Sequence, residues 1–189
     1  MKFAVCVGIS DICLMNNIKK KPVAVKLFCG LLLSERADLN ELLEKLECVY
    51  GPHDVVSNIM DFSSYSDYYE DELGKIVRRC FVSFKNLIDR TALPDIKLNT
   101  IDIENTFSEN GKRIFNIDPG YLALGQVFLA STKDNFCRIY IRDGIYEEVT
   151  LRFIKESYTP FAYTYKDYRS EEYASFFNEV RKIYKEQLH

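Results

Sequence analysis

The chain has 189 residues, of which 47% are hydrophobic, and a formal charge of -3 at pH 7. A chain of this length usually folds as one domain that buries roughly 70% of the surface exposed by the unfolded chain. We therefore expect a single α/β domain over residues 23–189. The 25 basic and 28 acidic residues leave no broad cationic surface for a phosphodiester backbone, so a nucleic-acid partner is not expected.

Residues 1–22 are interpreted as a loose or mis-annotated N-terminal leader, because Met15 precedes a segment where a natural start would fit. Asp11 interrupts the apolar run in this leader and no small-residue cleavage site follows, so a secretory signal is not predicted. No run approaches the roughly 18 apolar residues of a membrane-spanning helix. Six cysteines without a CxxC pair favour reduced thiols and a cytoplasmic protein.

The first half of the predicted domain alternates strands with helices. An apolar run at 23–33 predicts a central strand covered on both faces. Leucines at three- and four-residue spacing predict a helix over 37–51 that ends at Gly51-Pro52. The later elements are two strands, a helix and a strand, at 54–63, 75–84, 93–107 and 113–118. The order β-α-β-β-α-β predicts an α+β fold with a ferredoxin-like core and a mixed, largely antiparallel sheet.

After a predicted turn at Asp118-Pro119-Gly120, the run 126–132 predicts an interior strand. Residues 137–153 then form the clearest β-hairpin pattern in the chain, an extension of the core. The segment 170–188 has the apolar spacing of a final amphipathic helix.

The register of the hairpin follows from its alternation of polar and apolar residues. A three-residue loop, Arg142-Asp143-Gly144, with glycine in the left-handed conformation, keeps the two strands in phase. Tyr140 then opposes Tyr146, and Arg138 opposes Glu148. The buried side in this register carries Cys137, Ile139, Ile141, Ile145, Val149, Leu151 and Phe153.

Motifs for several well-known chemistries are missing from the sequence. Gly74-Lys75 and Gly111-Lys112 lack the other residues of the phosphate-binding GxxxxGK[ST] loop. Thr132-Lys133-Asp134 lacks the spacer of the guanine-reading TKxD tetrapeptide. With only two histidines in the chain, a structural zinc site and a serine or cysteine nucleophile with a histidine base are not expected, and no metal ligand is assigned.

Charged and polar residues in the second half form the candidate ligand-binding set. Its members are Arg113, Asp118, Lys133, Asp134, Arg138, Glu148, Thr150, Asp167 and Arg169. Asp118 and Lys133-Asp134 lie just beyond the ends of two predicted strands, where polar groups can line a pocket. Structural roles compete with this interpretation: a turn at Asp118, an ion pair between Arg138 and Glu148, and a helix cap at Asp167.

Several linked blocks carry a resemblance to a known family. They are "YYEDELG", "IKLNTIDIE", "RIFNIDPGYL", "FLASTKD", "RIYIRDGIYEEVTL" and "YTYKDYR". From Tyr68 to Tyr184 the chain resembles the prokaryotic domain-of-unknown-function family 4416, whose members are often labelled "GTP-binding protein". The resemblance implies an α/β domain and carries that label with it.

The resemblance also transfers a set of polar positions to this sequence. They are Glu72, Arg79, Lys97, Glu104, Asp118, Lys133, Asp134, Arg138, Glu148, Thr150, Asp167 and Arg169. Three positions depart from the family pattern. Cys137 stands where histidine is common, Tyr163 where tryptophan is usual, and Lys166 where proline is usual. A mechanism that needs that histidine is therefore not expected in this chain.

The first functional hypothesis is a small phosphorylated ligand or nucleotide. Lys133, Arg138 and Arg169 would hold its phosphate, while Asp118 and Asp134 would position hydroxyls or a magnesium ion.

Two alternatives remain open from the sequence. One is a metal-assisted hydrolase or transferase with Asp118, Glu148 or Asp167 as general base, which requires these carboxylates to converge on one cavity. The other is a protein-interaction module that uses the tyrosine-rich segment "YTPFAYTYKDY" as its contact surface.

Overall fold

The computed structural model describes residues 21–65 and 69–189, so almost all of the predicted leader lies outside the described residues. The strands are β1 (Val25–Leu33), β2 (His53–Val56), β3 (Met60–Asp61), β4 (Arg78–Ile88), β5 (Phe115–Ala123), β6 (Gln126–Ser131), β7 (Ile139–Arg142), β8 (Ile145–Ile154) and β9 (Ser157–Pro160). The α-helices are α1 (Leu39–Tyr50), α2 (Glu70–Leu73), α3 (Leu93–Thr106) and α4 (Glu171–Gln187), and short 3-10 helices occur at Arg90–Ala92 and Asp167–Arg169.

The strands form one open sheet in the order β2-β4-β1-β5-β6-β8-β7, with β3 paired to β4 and β9 paired to β8. Every pairing in this sheet is antiparallel. The predicted α+β class with a largely antiparallel sheet is therefore confirmed, whereas the parallel pairing that a mixed sheet requires does not occur among the described strands. The finer ferredoxin-like order stays a prediction, because β3 and α2 intervene between the second and third strands of that core.

The central strand β1 is buried along its whole length, as the continuous apolar run predicts. Its alternate side chains point to opposite faces of the sheet. Leu27 and Leu31 pack with residues of α1 and α3, whereas Phe28 packs with residues of α4. The helices therefore cover both faces, which explains why this strand carries no polar alternation.

Capping residues set the ends of α1. The Asp38 carboxylate accepts hydrogen bonds from the backbone N–H groups of Asn40 and Glu41, which satisfies donors that a helix start leaves unpaired. The helix ends at Gly51, whose φ of 88° lies in the region that glycine favours. The predicted stop at Gly51-Pro52 is thus confirmed.

Helix α4 covers the second face of the sheet through a row of aromatic side chains. Phe177 is fully buried, and its ring centroid lies 5.0 Å from that of Phe28 and 5.4 Å from that of Phe81. Ser170 caps the helix by accepting a hydrogen bond from the backbone N–H of Tyr173, so the cap is Ser170 and not Asp167. No helix in the described ranges is long and apolar enough to cross a lipid bilayer.

The turn predicted at Asp118-Pro119-Gly120 is wrong, because these residues lie inside β5. The chain reverses at Leu124-Gly125 instead, between Ala123 and Gln126. Gly120 is required for a different reason. A Cβ at this position would collide with the carbonyl oxygen of Phe128 and the ring of Phe28, so glycine permits a close approach of neighbouring strands.

The hairpin of β7 and β8 differs from its predicted form at the loop. Arg142 pairs with Ile145, and Asp143 and Gly144 have φ values of 52° and 76°, the signature of a two-residue type I′ turn. The register shifts between Tyr140 and Arg142. This irregularity inside β7, and not a three-residue loop, keeps the alternation of the two strands in phase. The predicted pairing of Tyr140 with Tyr146 is confirmed.

The predicted burial of Ile139 and Ile141 is wrong. Their exposed fractions are 71% and 41%, and β7 is the last strand of the sheet. Ile145 and Leu151 on the neighbouring strand β8 are buried as expected.

Phe177→Ala should lower the free energy of unfolding by about 3–5 kcal/mol, the usual cost of deleting a buried aromatic ring. Phe136 is 87% exposed, so Phe136→Ala is the matched control and should change stability by less than about 0.5 kcal/mol. Urea unfolding of the two variants measures the difference. Equal losses would contradict the described packing of α4.

Candidate functional site

A cavity of about 840 Å³ lies where β5 and β6 separate. These strands pair only between residues 120–123 and residues 126–129. The cavity is lined on the β5 side by Asn116 and Asp118, which precede the paired part of that strand. On the β6 side it is lined by Ala130 and Ser131, which follow the paired part. Pro119 has no backbone N–H to donate to a neighbouring strand, which suits its position at this gap.

The cavity wall is richer in basic than in acidic side chains. Its charged residues are Arg79, Lys97, Glu104, Arg113, Asp118, Lys133, Arg138, Glu148, Lys166 and Asp167. Six of these are basic and four are acidic, an excess of two positive charges, although the whole chain has a formal charge of -3. The cavity is therefore electrostatically suited to an anion.

Arg79 on β4 reaches across the central strand toward β5. Gly30 of β1 pairs with Asp118 of β5, and a Cβ on Gly30 would lie only 2.8 Å from Nη1 of Arg79. The same nitrogen lies 3.8 Å from Oδ2 of Asp118. Glycine at position 30 therefore provides the space through which the guanidinium reaches the cavity.

The guanidinium of Arg79 is buried but only partly satisfied. Its side chain is 5% exposed, and Nη2 lies 3.3 Å from Oδ2 of Asp167. Nε and Nη1 have no hydrogen-bond partner among the described residues, and neither has the hydroxyl of Tyr168. A buried donor without a partner costs about 1–3 kcal/mol, so these groups favour a ligand that supplies acceptors.

Aromatic rings hold the Arg79 guanidinium in place. Its carbon Cζ lies 5.0 Å from the ring centroid of Phe62, 5.5 Å from that of Phe81 and 5.9 Å from that of Tyr168, within the range of cation–π attraction. Burial by itself lowers the pKa of Arg79, but Tyr168 and other neighbours outweigh burial and raise it. The group therefore stays charged.

The carboxylates beside Arg79 are perturbed in opposite directions. Lys97 donates to the carbonyl oxygen of Ile117 at 2.8 Å and to Oδ1 of Asp118 at 3.4 Å. Desolvation tends to raise the pKa of Asp118, but the charges of Lys97 and Arg79 lower it overall. Desolvation dominates at Asp167 and raises the pKa of its carboxyl. The cavity thus contains one stabilised carboxylate and one carboxyl that binds its proton more tightly.

Arg113 is tied to the wall and is not available as an unpaired cation. It donates to Oε2 of Glu104 at 2.7 Å, to Oδ1 of Asn116 at 3.0 Å and to Oε2 of Glu72 at 2.9 Å. The second oxygen of Glu104 accepts from the backbone N–H of Ile117 at 2.6 Å. Burial raises the pKa of Glu104. This network joins α3 to β5 and fixes that side of the cavity.

Arg138 is occupied on the opposite side of the cavity. Its Nε donates to Oε2 of Glu148 at 2.8 Å, so the ion pair weighed as a structural role is confirmed. The other nitrogens donate to the hydroxyl of Ser131, the carbonyl oxygen of Lys133 and the hydroxyl of Tyr165. Arg138 therefore holds the end of β6 and the Tyr165 segment together.

Six of the nine predicted site residues line this single cavity, namely Arg113, Asp118, Lys133, Arg138, Glu148 and Asp167. The other three do not. Thr150 is fully buried and donates to Glu148, Arg169 donates to the carbonyl oxygens of Ala162 and Thr164, and Asp134 is exposed.

Asp118 enters the cavity from the interior of β5 and not from a strand end, so the expected position at the edge of a strand is wrong for this residue. Lys133 and Asp134 do follow the end of β6. Asp118, Glu148 and Asp167 line the same cavity, but in the described ranges no group of three or more His, Cys, Asp or Glu side chains is arranged to hold a metal ion.

Residue patterns alone did not point to Arg79 and Lys97, which are central to the site. Both lie inside regular elements, β4 and α3, where a charged residue looks like the polar side of an amphipathic segment. The available signal was the family resemblance, which includes both positions. A second signal is the placement of Arg79 next to the apolar run "CFVSF", because a charge in a buried strand requires a specific partner.

Together the fold and the cavity define an α+β protein with a cationic hollow at a gap in an antiparallel sheet. The chain belongs to the family described as "Domain of unknown function (DUF4416)", whose model matches residues 23–184. No curated protein and no solved structure matches the chain.

Gly30→Ala should displace the Arg79 guanidinium and lower the free energy of unfolding by about 1–3 kcal/mol, the usual cost of overpacking. Gly125→Ala is the matched control, because a Cβ on Gly125 meets no atom within 4 Å. Thermal or urea unfolding of both variants gives the comparison. If Gly30→Ala left the free energy of unfolding unchanged, the position of the guanidinium would not depend on this glycine.

Asp118→Asn should destabilise the protein at pH 7 by about 1–3 kcal/mol, because Lys97 and Arg79 lose their carboxylate. The lowered pKa means that the stabilisation is fully present above the ordinary value of 3.8 and is lost as the pH falls below it. Urea unfolding from pH 3 to pH 7 should therefore show the two proteins converging at low pH. The exposed Asp102→Asn variant serves as control, and a pH-independent difference for Asp118→Asn would contradict the assignment.

Proposed function

We propose that this chain is a cytoplasmic protein that binds a small phosphorylated ligand or nucleotide in the cavity, with Arg79 as the main anion contact. The observation that carries the proposal is the buried Arg79 guanidinium, whose Nε and Nη1 lack hydrogen-bond partners among the described residues. Hydrogen bonds to charged groups contribute about 1.5–3 kcal/mol each. An anion that accepts from these donors would therefore bind with useful affinity.

The arrangement changes which residues are the best candidates for contacting phosphate. Arg138 and Arg169 already donate to Glu148 and to backbone carbonyl oxygens, so they support the cavity wall. Lys133 and Lys166 are exposed and line the same cavity as Arg79. These two lysines are the candidates for steering an anion toward Arg79.

The cytoplasmic assignment is supported by the cysteines of the described ranges. Cys29, Cys48, Cys80 and Cys137 are all free thiols, which is typical of proteins in a reducing compartment.

An enzyme that uses a carboxyl group for proton transfer is the second candidate function. Asp118 and Asp167 flank Arg79, and their pKa values are shifted in opposite directions, a pattern found in acid–base pairs. Asp167 would act as the general acid and Arg79 would hold the anionic substrate. A metal ion would enter this scheme only together with the ligand.

The protein-interaction alternative finds less support, because most of the tyrosine-rich segment serves internal contacts. Tyr158 and Tyr168 are buried, the hydroxyl of Tyr163 donates to the carbonyl oxygen of Val149 at 2.8 Å, and Tyr165 accepts from Arg138. The segment therefore builds the cavity wall.

A thermal-shift screen with GTP, ATP and sugar phosphates, each with and without magnesium, tests the binding proposal. At least one compound should raise the Tm of the wild type, because a ligand at 100 times its Kd stabilises the native state by about 2.7 kcal/mol. Arg79→Met should raise the Kd of that compound at least about tenfold, because the charge-assisted donors of the guanidinium are lost.

Arg36→Met is the matched control, because Arg36 forms an exposed ion pair with Glu109 outside the cavity. If Arg79→Met does not fold, Arg79→Lys replaces it, since lysine keeps the charge but lacks the guanidinium donors. The proposal would be refuted if no compound stabilised the wild type, or if the Arg79 and Arg36 variants lost equal affinity for the stabilising compound.

A further inference from the structure

We infer that the ligand carries one dianionic phosphoryl group on an organic group with a planar ring, as in a nucleoside monophosphate, and that additional phosphoryl groups do not improve binding. This inference rests on the proposed function and names the ligand class of the same cavity. It follows from the charge of the wall, from the buried donors that lack partners, and from the size and aromatic lining of the cavity.

The charge balance of the wall favours a dianion. The six basic and four acidic residues leave an excess of two positive charges. A phosphomonoester carries about -1.5 to -2 at pH 7, which matches this excess. A phosphodiester or a sulfate ester carries only one negative charge, and the further phosphoryl groups of a triphosphate bring negative charge that the cavity does not neutralise.

The unsatisfied donors agree in number with one phosphoryl group. Nε and Nη1 of Arg79 and the hydroxyl of Tyr168 lack hydrogen-bond partners among the described residues and belong to side chains of the cavity wall. A terminal phosphoryl group presents three strong acceptor oxygens. Arg113 and Arg138 are already engaged by Glu104 and Glu148, so a second phosphoryl group would have to compete with these ion pairs.

The rest of the cavity suits an organic ring. Its volume of about 840 Å³ lies within the range of roughly 300–1,000 Å³ for pockets that hold whole small molecules. This is far more space than a bare phosphate ion needs. Tyr65, Tyr165 and Ile101 line the cavity together with Phe62, and aromatic walls of this kind bind planar rings through apolar and edge contacts.

Titration calorimetry in a buffer with chelator tests the inference with ligands that differ in charge at nearly constant shape. The guanosine and adenosine series each comprise the nucleoside, the 3′,5′-cyclic monophosphate, and the mono-, di- and triphosphate. Phenyl phosphate, phenyl sulfate and ribose 5-phosphate complete the set. A monophosphate should bind at least about tenfold tighter than its cyclic diester, and phenyl phosphate at least about tenfold tighter than phenyl sulfate, because tenfold corresponds to the loss of about one charge-assisted contact.

The outcomes separate this inference from the proposed function. The single-dianion inference would be overturned by a triphosphate that binds tenfold tighter than its monophosphate, or by a cyclic diester that binds as tightly as the monophosphate. Either result would leave anion binding intact. Ribose 5-phosphate that binds as tightly as the nucleoside monophosphates would overturn the requirement for a planar ring on the aromatic wall. If none of the anions binds, both proposals fail.

A pair of lysine variants isolates the contribution of the wall charge. Lys166→Met removes one positive charge from the cavity rim and should reduce the preference for the monophosphate over its cyclic diester at least about threefold. Lys182 is exposed on α4 and does not line this cavity, so Lys182→Met should leave the preference unchanged. An unchanged preference in Lys166→Met would contradict the charge argument.

Discussion

The burial of one positive charge, that of Arg79, sets the conditions on which the cavity depends. Its guanidinium requires a central strand without a side chain at Gly30, a carboxylate from Asp167 and aromatic rings around it. These partners come from β1, from the 3-10 helix before α4 and from the segment after β3. A buried charge is tolerated only when such partners are in place, so Arg79 links distant parts of the chain to one geometry.

The other buried ions extend this linkage across the sheet. Asp118 is shared between Lys97 and Arg79, and Glu104 joins Arg113 to the backbone of β5. On the far side Arg138 and Glu148 close the wall. Each ion has a partner that offsets part of its desolvation, and the exposed Lys133 and Lys166 add two further positive charges to the lining. The positive excess of the site therefore lies at its exposed rim, above a wall of paired ions.

The sequence predicted elements well where burial and capping decide the structure. The apolar run of β1, the leucine spacing of α1 and the aromatic spacing of α4 each correspond to a described element. The prediction failed where a residue had more than one physical role. Pro119 and Gly120 are typical turn residues, but here glycine allows a close strand contact and proline lies at a gap. Arg79 and Lys97 were not identified by local pattern, because their partners are distant in sequence and local periodicity carries no information about them.

The cavity lies beside β5 and β6, which pair over four residues each and then part. Side chains from other elements line the rest of this opening. Members of this family could therefore exchange the polar residues of the wall one at a time while the strands keep their course. In evolutionary terms the gap is a scaffold on which specificity can diverge without a change of fold.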